Sequence, residues 1–115
     1  MAITVRKQGD ATIIDLDGRL ALGGPVDEFR TRWSEELAAG NKNLILNLST
    51  VTMVDSSGIG TMIRCHSAVT AAGGKVRLVG VGEMVRQSLK VTRLERVFEF
   101  YGDEASALAS LGASA

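Results

Sequence analysis

The chain has 115 residues, 45% of them hydrophobic and 23% charged, with Lys+Arg and Asp+Glu equal at 13 each. This length suits one domain able to bury a core without staples. Zero net charge argues against direct binding to nucleic acid or an anionic membrane, since both reward a basic surface.

Cys65 is the only cysteine, so no intramolecular disulfide can form. The N-terminus M-A-I-T-V-R-K-Q-G-D lacks the apolar core of a signal peptide, and no apolar run reaches the length of a membrane span. The expectation is a cytoplasmic protein.

Ile3 to Lys7 alternates apolar and polar residues, as a half-buried strand does. Gly9-Asp10 signals a hairpin turn into a second strand, Ala11 to Leu16, which Asp17-Gly18 ends. Arg19 to Gly24 reads as a short connection. Pro25 suits the first turn of a helix, where its missing N–H is harmless. Val26, Phe29, Trp33 and Leu37 give that helix an apolar face, and Gly40 stops it.

Leu44 to Leu48 fits a strand buried on both sides. A second helix is expected over Ser57 to Ala72, with Ile59, Met62, Ile63, His66, Val69 and Thr70 on one side, and Gly73-Gly74 after it. Val76 to Val79 is a strand, and Val85, Leu89 and Val91 mark a third helix after Gly82. Phe98 to Tyr101 is a late strand. Asp103 caps a last helix through Ala105, Leu108 and Leu111, and the tail G-A-S-A from Gly112 is expected to fray. The order β-β-α-β-α-β-α-β-α points to an α/β fold with a mostly parallel sheet in one domain over 1–115.

The most informative stretch is V-D-S-S-G-I-G, residues 54–60, between the central strand and the second helix. In open α/β sheets, ligands and chemistry gather at the carboxyl ends of strands. A helix N-terminus offers unpaired N–H groups and a partial positive charge, so a phosphate on Ser56 would meet donors there. Phosphorylation would add about 1.5 to 2 negative charges, with Asp55 alongside adding repulsion at a docked interface. The plainer alternative is an N-cap without regulation, which is the commoner meaning of D-S-S before a periodic helix. Gly58 and Gly60 count against it, because each costs about 1 kcal/mol in a helix relative to Ala.

M-V-D-S-S-G-I-G resembles the D-S-[ST]-G-[LI]-G signature of the anti-sigma factor antagonist family, whose domain is called STAS. D-L-D-G-R-L is similar to the family's second strand and turn, and N-L-I-L-N-L-S-T-V-T-M-V to the strand before the signature. G-G-K-V-R-L-V-G-V and V-R-Q-S-L-K-V-T-R-L are similar to the following strand and helix. The resemblance implies a STAS fold, with a mostly parallel mixed sheet of about five strands flanked by about four helices. It also implies a partner switch without catalysis by the chain itself.

In such a switch an anti-sigma factor serine kinase phosphorylates Ser56, and a PPM-type serine phosphatase reverses this. The unmodified protein binds the kinase and releases the sigma factor. Asp55 would orient or assist the serine, and Ser57 would be structural or a minor site. Met53, Ile59 and Met62 are the expected partner contacts around Asp55 and Ser56. The family often has an acidic residue after G-x-L of the second-strand turn, where this chain has Ala21. The alternative is a non-switching STAS subunit of a larger assembly, such as a lipid-transport ATPase complex or a stress-sensing scaffold.

No cofactor or metal is implied. Cys65 and His66 have no other cysteine or histidine to join them in a site. A hydrolase centred on Ser56 lacks the G-x-S-x-G pattern, and the only histidine lies ten positions along the same helix. Trp33 is expected in the core, and Arg86, Lys90, Arg93 and Arg96 form a basic cluster that is either solvated or docks an acidic partner. A monomer, or a weak dimer through the hairpin edge, satisfies everything the sequence shows.

Overall fold

A two-residue turn at Gly9 and Asp10, with Gly9 at φ 59°, returns the chain from β1 (Ala2–Gln8) to an antiparallel β2 (Ala11–Leu20). The computed structural model describes residues 1–112. The remaining elements follow as α1 (Gly24–Ala38), β3 (Asn43–Val54), α2 (Ser56–Ala71), β4 (Lys75–Val79), α3 (Glu83–Val91), β5 (Glu99–Tyr101) and α4 (Glu104–Ser110). The strands lie in the spatial order β1-β2-β3-β4-β5, and every pair after the hairpin is parallel. This is the five-stranded mixed sheet with four helices that the STAS resemblance implies.

Alternating strand residues divide the molecule into two layers. Ile14, Leu16, Leu44, Leu46, Leu48, Val76 and Leu78 face α1, α2 and α3 in the main core. Ile13, Ile45 and Val79 face the opposite way and are covered by Ala107, Leu108 and Leu111 at α4. Central strands buried on both faces read as continuous apolar runs, as Leu44-Ile45-Leu46 does. Full burial of Phe29 from α1 alone contributes about 2 to 3 kcal/mol of transfer free energy. On the second face, polar contacts surround α4: Arg6 pairs with Asp15 at 2.6 Å, and Asn47 donates to Glu104 at 2.8 Å.

Two strands run further than their apolar runs alone predict, β3 over the full stretch that the family resemblance implies. β2 continues through Asp17-Gly18 to Leu20, because register shifts at Asp15/Asp17 and Gly18/Arg19 let it keep pairing with β3. Gly18 takes φ 105° there, and Leu20 reaches the core fully buried. β3 likewise extends past Leu48 to Val54, since Val51 and Val54 are buried and pair with Gly18 and Leu20. These extensions carry both strands up to the signature stretch.

Helix faces also differ in detail. α2 buries Thr61 and Cys65, while Thr70 is exposed and His66 is half-buried. The helix packs on α1 as well as on the sheet, and Trp33 Nε1–H donates to Thr61 Oγ1 at 3.2 Å. Trp33 is thus in the core, as expected. Val85 and Leu89 anchor α3, but Val91 is 73% exposed. In α4, Asp103 caps the helix by accepting from the Ser106 N–H at 2.8 Å. Of the tail expected to fray, Gly112 donates to the Ala109 carbonyl at 3.1 Å, and residues 113–115 lie outside the described residues.

Candidate functional site at the start of α2

β3 delivers Val54 to the core and Asp55 to the carboxyl end of the central strand. Asp55 is extended (φ −89°, ψ −176°) and is the N-cap of α2, so the helix begins at Ser56, one residue earlier than expected. Asp55 Oδ1 accepts the Gly58 N–H at 2.8 Å. Its Oδ2 accepts the Leu22 N–H, from the β2–α1 connection, at 2.9 Å. The Asp55 N–H in turn donates to the Leu20 carbonyl at 3.2 Å. The Leu22 and Gly58 N–H groups hold the Asp55 carboxyl below the usual carboxylate range.

Both oxygens of Asp55 are therefore engaged with backbone. Asp55 thereby ties the β2–α1 connection to the first turn of α2, the turn that carries Ser56. It also takes the Gly58 N–H, one of the helix-end donors that a phosphate on Ser56 was expected to meet.

Ser56 is exposed in the first turn of α2, whereas Ser57 is half-buried. The two glycines have different reasons. A Cβ at Gly58 would collide with the Leu20 carbonyl oxygen and come within 2.7 Å of Val54 Cγ1, so Gly58 permits α2 to sit close against β2 and β3. A Cβ at Gly60 would meet nothing within 4 Å. Gly60 lies one turn after Ser56, on the same side of the helix, and leaves that side uncovered.

A groove of about 340 Å³ adjoins the serine, lined by Val54, Ser56 and Ile59 with Gln87, Ser88, Val91 and Thr92 of α3 and its end. A second depression of about 350 Å³ lies between Val51 and Thr52 of β3 and Gly82, Glu83, Met84 and Val85. Leu22, Met84 and Val91 are 77%, 72% and 73% exposed. Val91 lines the groove with Ser56, Leu22 is tied to the adjacent Asp55, and Met84 lines the second depression; large apolar side chains left in water suit a docking surface.

Of the expected contacts, Met53 is half-buried and Ile59, although 7% exposed, lines the groove. Met62 is fully buried beneath α2, so it supports the site from within the core and is removed from the surface. Leu22 and Val91 were not expected at the site. Leu22 had a signal, as a large apolar residue beside Gly23-Gly24 in a short connection, and Val91 falls off the spacing set by Val85 and Leu89.

The remaining candidates are structural. The Cys65 thiol is buried, and burial pushes it up to about 12. His66 packs edge-on against Phe98, with ring centroids 5.4 Å apart. Among the described residues there is no cluster of three potential metal ligands, and no helix is long and apolar enough to cross a membrane.

Comparison with known proteins agrees with this layout. A family model described as the STAS domain matches residues 2–107. A candidate anti-sigma factor antagonist from Thermotoga neapolitana is 32% identical over 76 residues, covering 66% of this chain and 67% of that protein. Two further curated relatives, from Thermotoga maritima and Paenibacillus polymyxa, align over 61% and 60% of their own length.

The crystal structure of a candidate anti-sigma factor antagonist from Thermotoga maritima superposes with a TM-score of 0.90 at 23% identity, covering 96% of this chain and 94% of that one. The phosphorylated form of the Bacillus cell fate determinant SpoIIAA superposes with a TM-score of 0.75 at 21% identity, covering 95% and 98%. The matched model, spanning almost all of the described residues, places the chain in the STAS domain family.

Proposed function

We propose that this chain is an anti-sigma factor antagonist that docks on an anti-sigma factor serine kinase and is switched off by phosphorylation of Ser56. A PPM-type phosphatase restores the docking form. The observation that carries this reading is the placement of Ser56: exposed, in the first turn of α2, on the rim of an apolar groove. Its curated relatives are named as anti-sigma factor antagonists, and the phosphorylated state of a protein with the same fold is known.

The electrostatics favour an interruption of docking. A phosphoserine adds about 1.5 to 2 negative charges. The positive end of α2 is equivalent to only about half a charge, and Asp55 already occupies its Gly58 donor. The added charge therefore stays at the groove, where a partner matched to Val91 and Ile59 would have to desolvate it. About 1.4 kcal/mol of such cost reduces affinity tenfold.

Ser56 acts here as the acceptor of a phosphoryl group and not as a nucleophile toward substrates. The only histidine in the chain packs against Phe98 instead. The test is affinity capture from source-cell lysate with tagged Ser56→Ala and Ser56→Asp proteins, followed by identification of the captured chains. The alanine variant retains a serine-kinase anti-sigma factor and the aspartate variant loses it. Equal capture of that kinase by both variants contradicts the switch.

A further inference from the structure

Three of the four helices close in the same way. The residue after the C-cap is a glycine in the left-handed region: Gly40 after α1 (φ 91°), Gly73 after α2 (φ 83°) and Gly112 after α4 (φ 71°). At the end of α3 that position is Arg93, with φ 61°. The Arg93 N–H donates to the Lys90 carbonyl at 3.0 Å and the Leu94 N–H to the Leu89 carbonyl at 2.8 Å. This paired closure favours glycine, because a Cβ in the left-handed region crowds the following carbonyl. Arg93 is the only non-glycine residue with positive φ among those described. Strain of this kind concentrates where a side chain is used.

The surroundings of Arg93 show a use. Lys90, Arg93 and Arg96 line a cavity of about 390 Å³, with Glu95 as the one acidic residue. Ion pairs among the described residues involve Arg6, Lys7 and Arg77, and none involves these three cations. Arg86, from the same stretch, is engaged elsewhere, 4.3 Å from the centroid of the Phe100 ring. Three cations converge on a concavity that the fold itself does not fill, and its size falls within the usual range for small-ligand sites.

We propose that Lys90, Arg93 and Arg96 form a binding site for a small oligophosphate anion at the C-terminal end of α3. Guanidinium groups match phosphate oxygens two at a time, and an ammonium adds a point charge. The negative end of α3 opposes an anion, so the side chains must supply the attraction. A doubly or more highly charged phosphate therefore suits the site better than a monoanion. Val91 and Thr92, between Lys90 and Arg93, line the groove beside Ser56, so the two sites share the end of one helix. The proposal stands independently of the Ser56 switch.

The test is a titration of the 15N-labelled protein with pyrophosphate at about 10 mM ionic strength, where the screening length is about 30 Å. Arginine Nε–H resonances are followed in wild type, Arg93→Gly and Arg96→Gln, beside Arg64→Gln as an exposed control on α2. Saturable shifts at Arg93 and Arg96 are expected, with binding at least tenfold weaker in both site variants and unchanged in the control. Arg93→Gly should also melt at least as high as wild type, by up to about 4 °C, because it relieves the left-handed strain. Linear shifts spread over all surface arginines, or undiminished affinity in Arg93→Gly, would overturn the proposal. A lower melting temperature for Arg93→Gly would overturn the strain argument on which it rests.

Discussion

Asp55 and Leu22 are joined by a 2.9 Å hydrogen bond from the Leu22 N–H to the Asp55 carboxylate, which ties the β2–α1 connection to the turn that opens α2. The exposed Leu22 side chain is thereby held beside the signature stretch by the same residue that caps the helix. Asp55→Ala should cost about 0.5 to 2 kcal/mol, the range for loss of an N-cap, measured by urea unfolding. It should also weaken docking, because Leu22 is released. A variant with wild-type stability would show that the cap and tether contribute nothing.

The same contacts predict a pH dependence. Asp55 has a carboxyl lowered in the folded state by the Leu22 and Gly58 N–H groups. Its contribution is therefore present above the unfolded carboxylate value of about 3.9 and is lost as pH falls through the lower folded value. The stability difference between wild type and Asp55→Asn should be full at pH 6 and shrink below pH 4. A difference that stays constant or grows toward acid contradicts the assignment.

The two signature glycines should respond in opposite directions. Gly58→Ala drives a methyl group into the Leu20 carbonyl and the Val54 side chain, so α2 must shift at a cost of about 1 to 3 kcal/mol. Gly60→Ala meets no atom within 4 Å and should stabilise by up to about 1 kcal/mol through helix propensity. It should also slow phosphorylation of Ser56 by covering the open side of the first turn. Thermal melts of the two variants distinguish these outcomes, and equal changes would contradict the packing role given to Gly58.

Much of this architecture was readable in the chain. Leu44-Ile45-Leu46 announced a central strand, Gly40 and Gly73 marked helix ends, and D-S-S-G marked the start of α2. What could not be read depended on partners distant in sequence. Asp17-Gly18 looks like a turn, and only the bulged pairing with β3 turns it into strand. Thr61 looks like a surface residue until Trp33 arrives from α1 to donate to it. Met62 and Val91 exchanged their expected places for the same reason. The sheet beneath α2 claims Met62, whereas Val91 lies beyond the two anchors of a short helix.

That exchange predicts opposite phenotypes. Met62→Ala removes a fully buried side chain and should destabilise by about 2 to 5 kcal/mol, with docking by the remaining folded protein retained. Val91→Glu alters a residue that is 73% exposed and should leave stability within about 0.5 kcal/mol while disrupting docking at the groove. Unfolding curves and capture assays on the same preparations separate the two. A stability loss for Val91→Glu as large as that for Met62→Ala would contradict the exposed placement.

The most direct measurement is the intact mass of the purified protein after incubation with source-cell lysate and ATP, beside Ser56→Ala treated identically. One added phosphoryl group is expected on wild type and none on the variant. Phosphorylation of Ser56→Ala to the same extent, or a wild-type mass that never changes while the lysate kinase phosphorylates other antagonists, would contradict Ser56 as the switch.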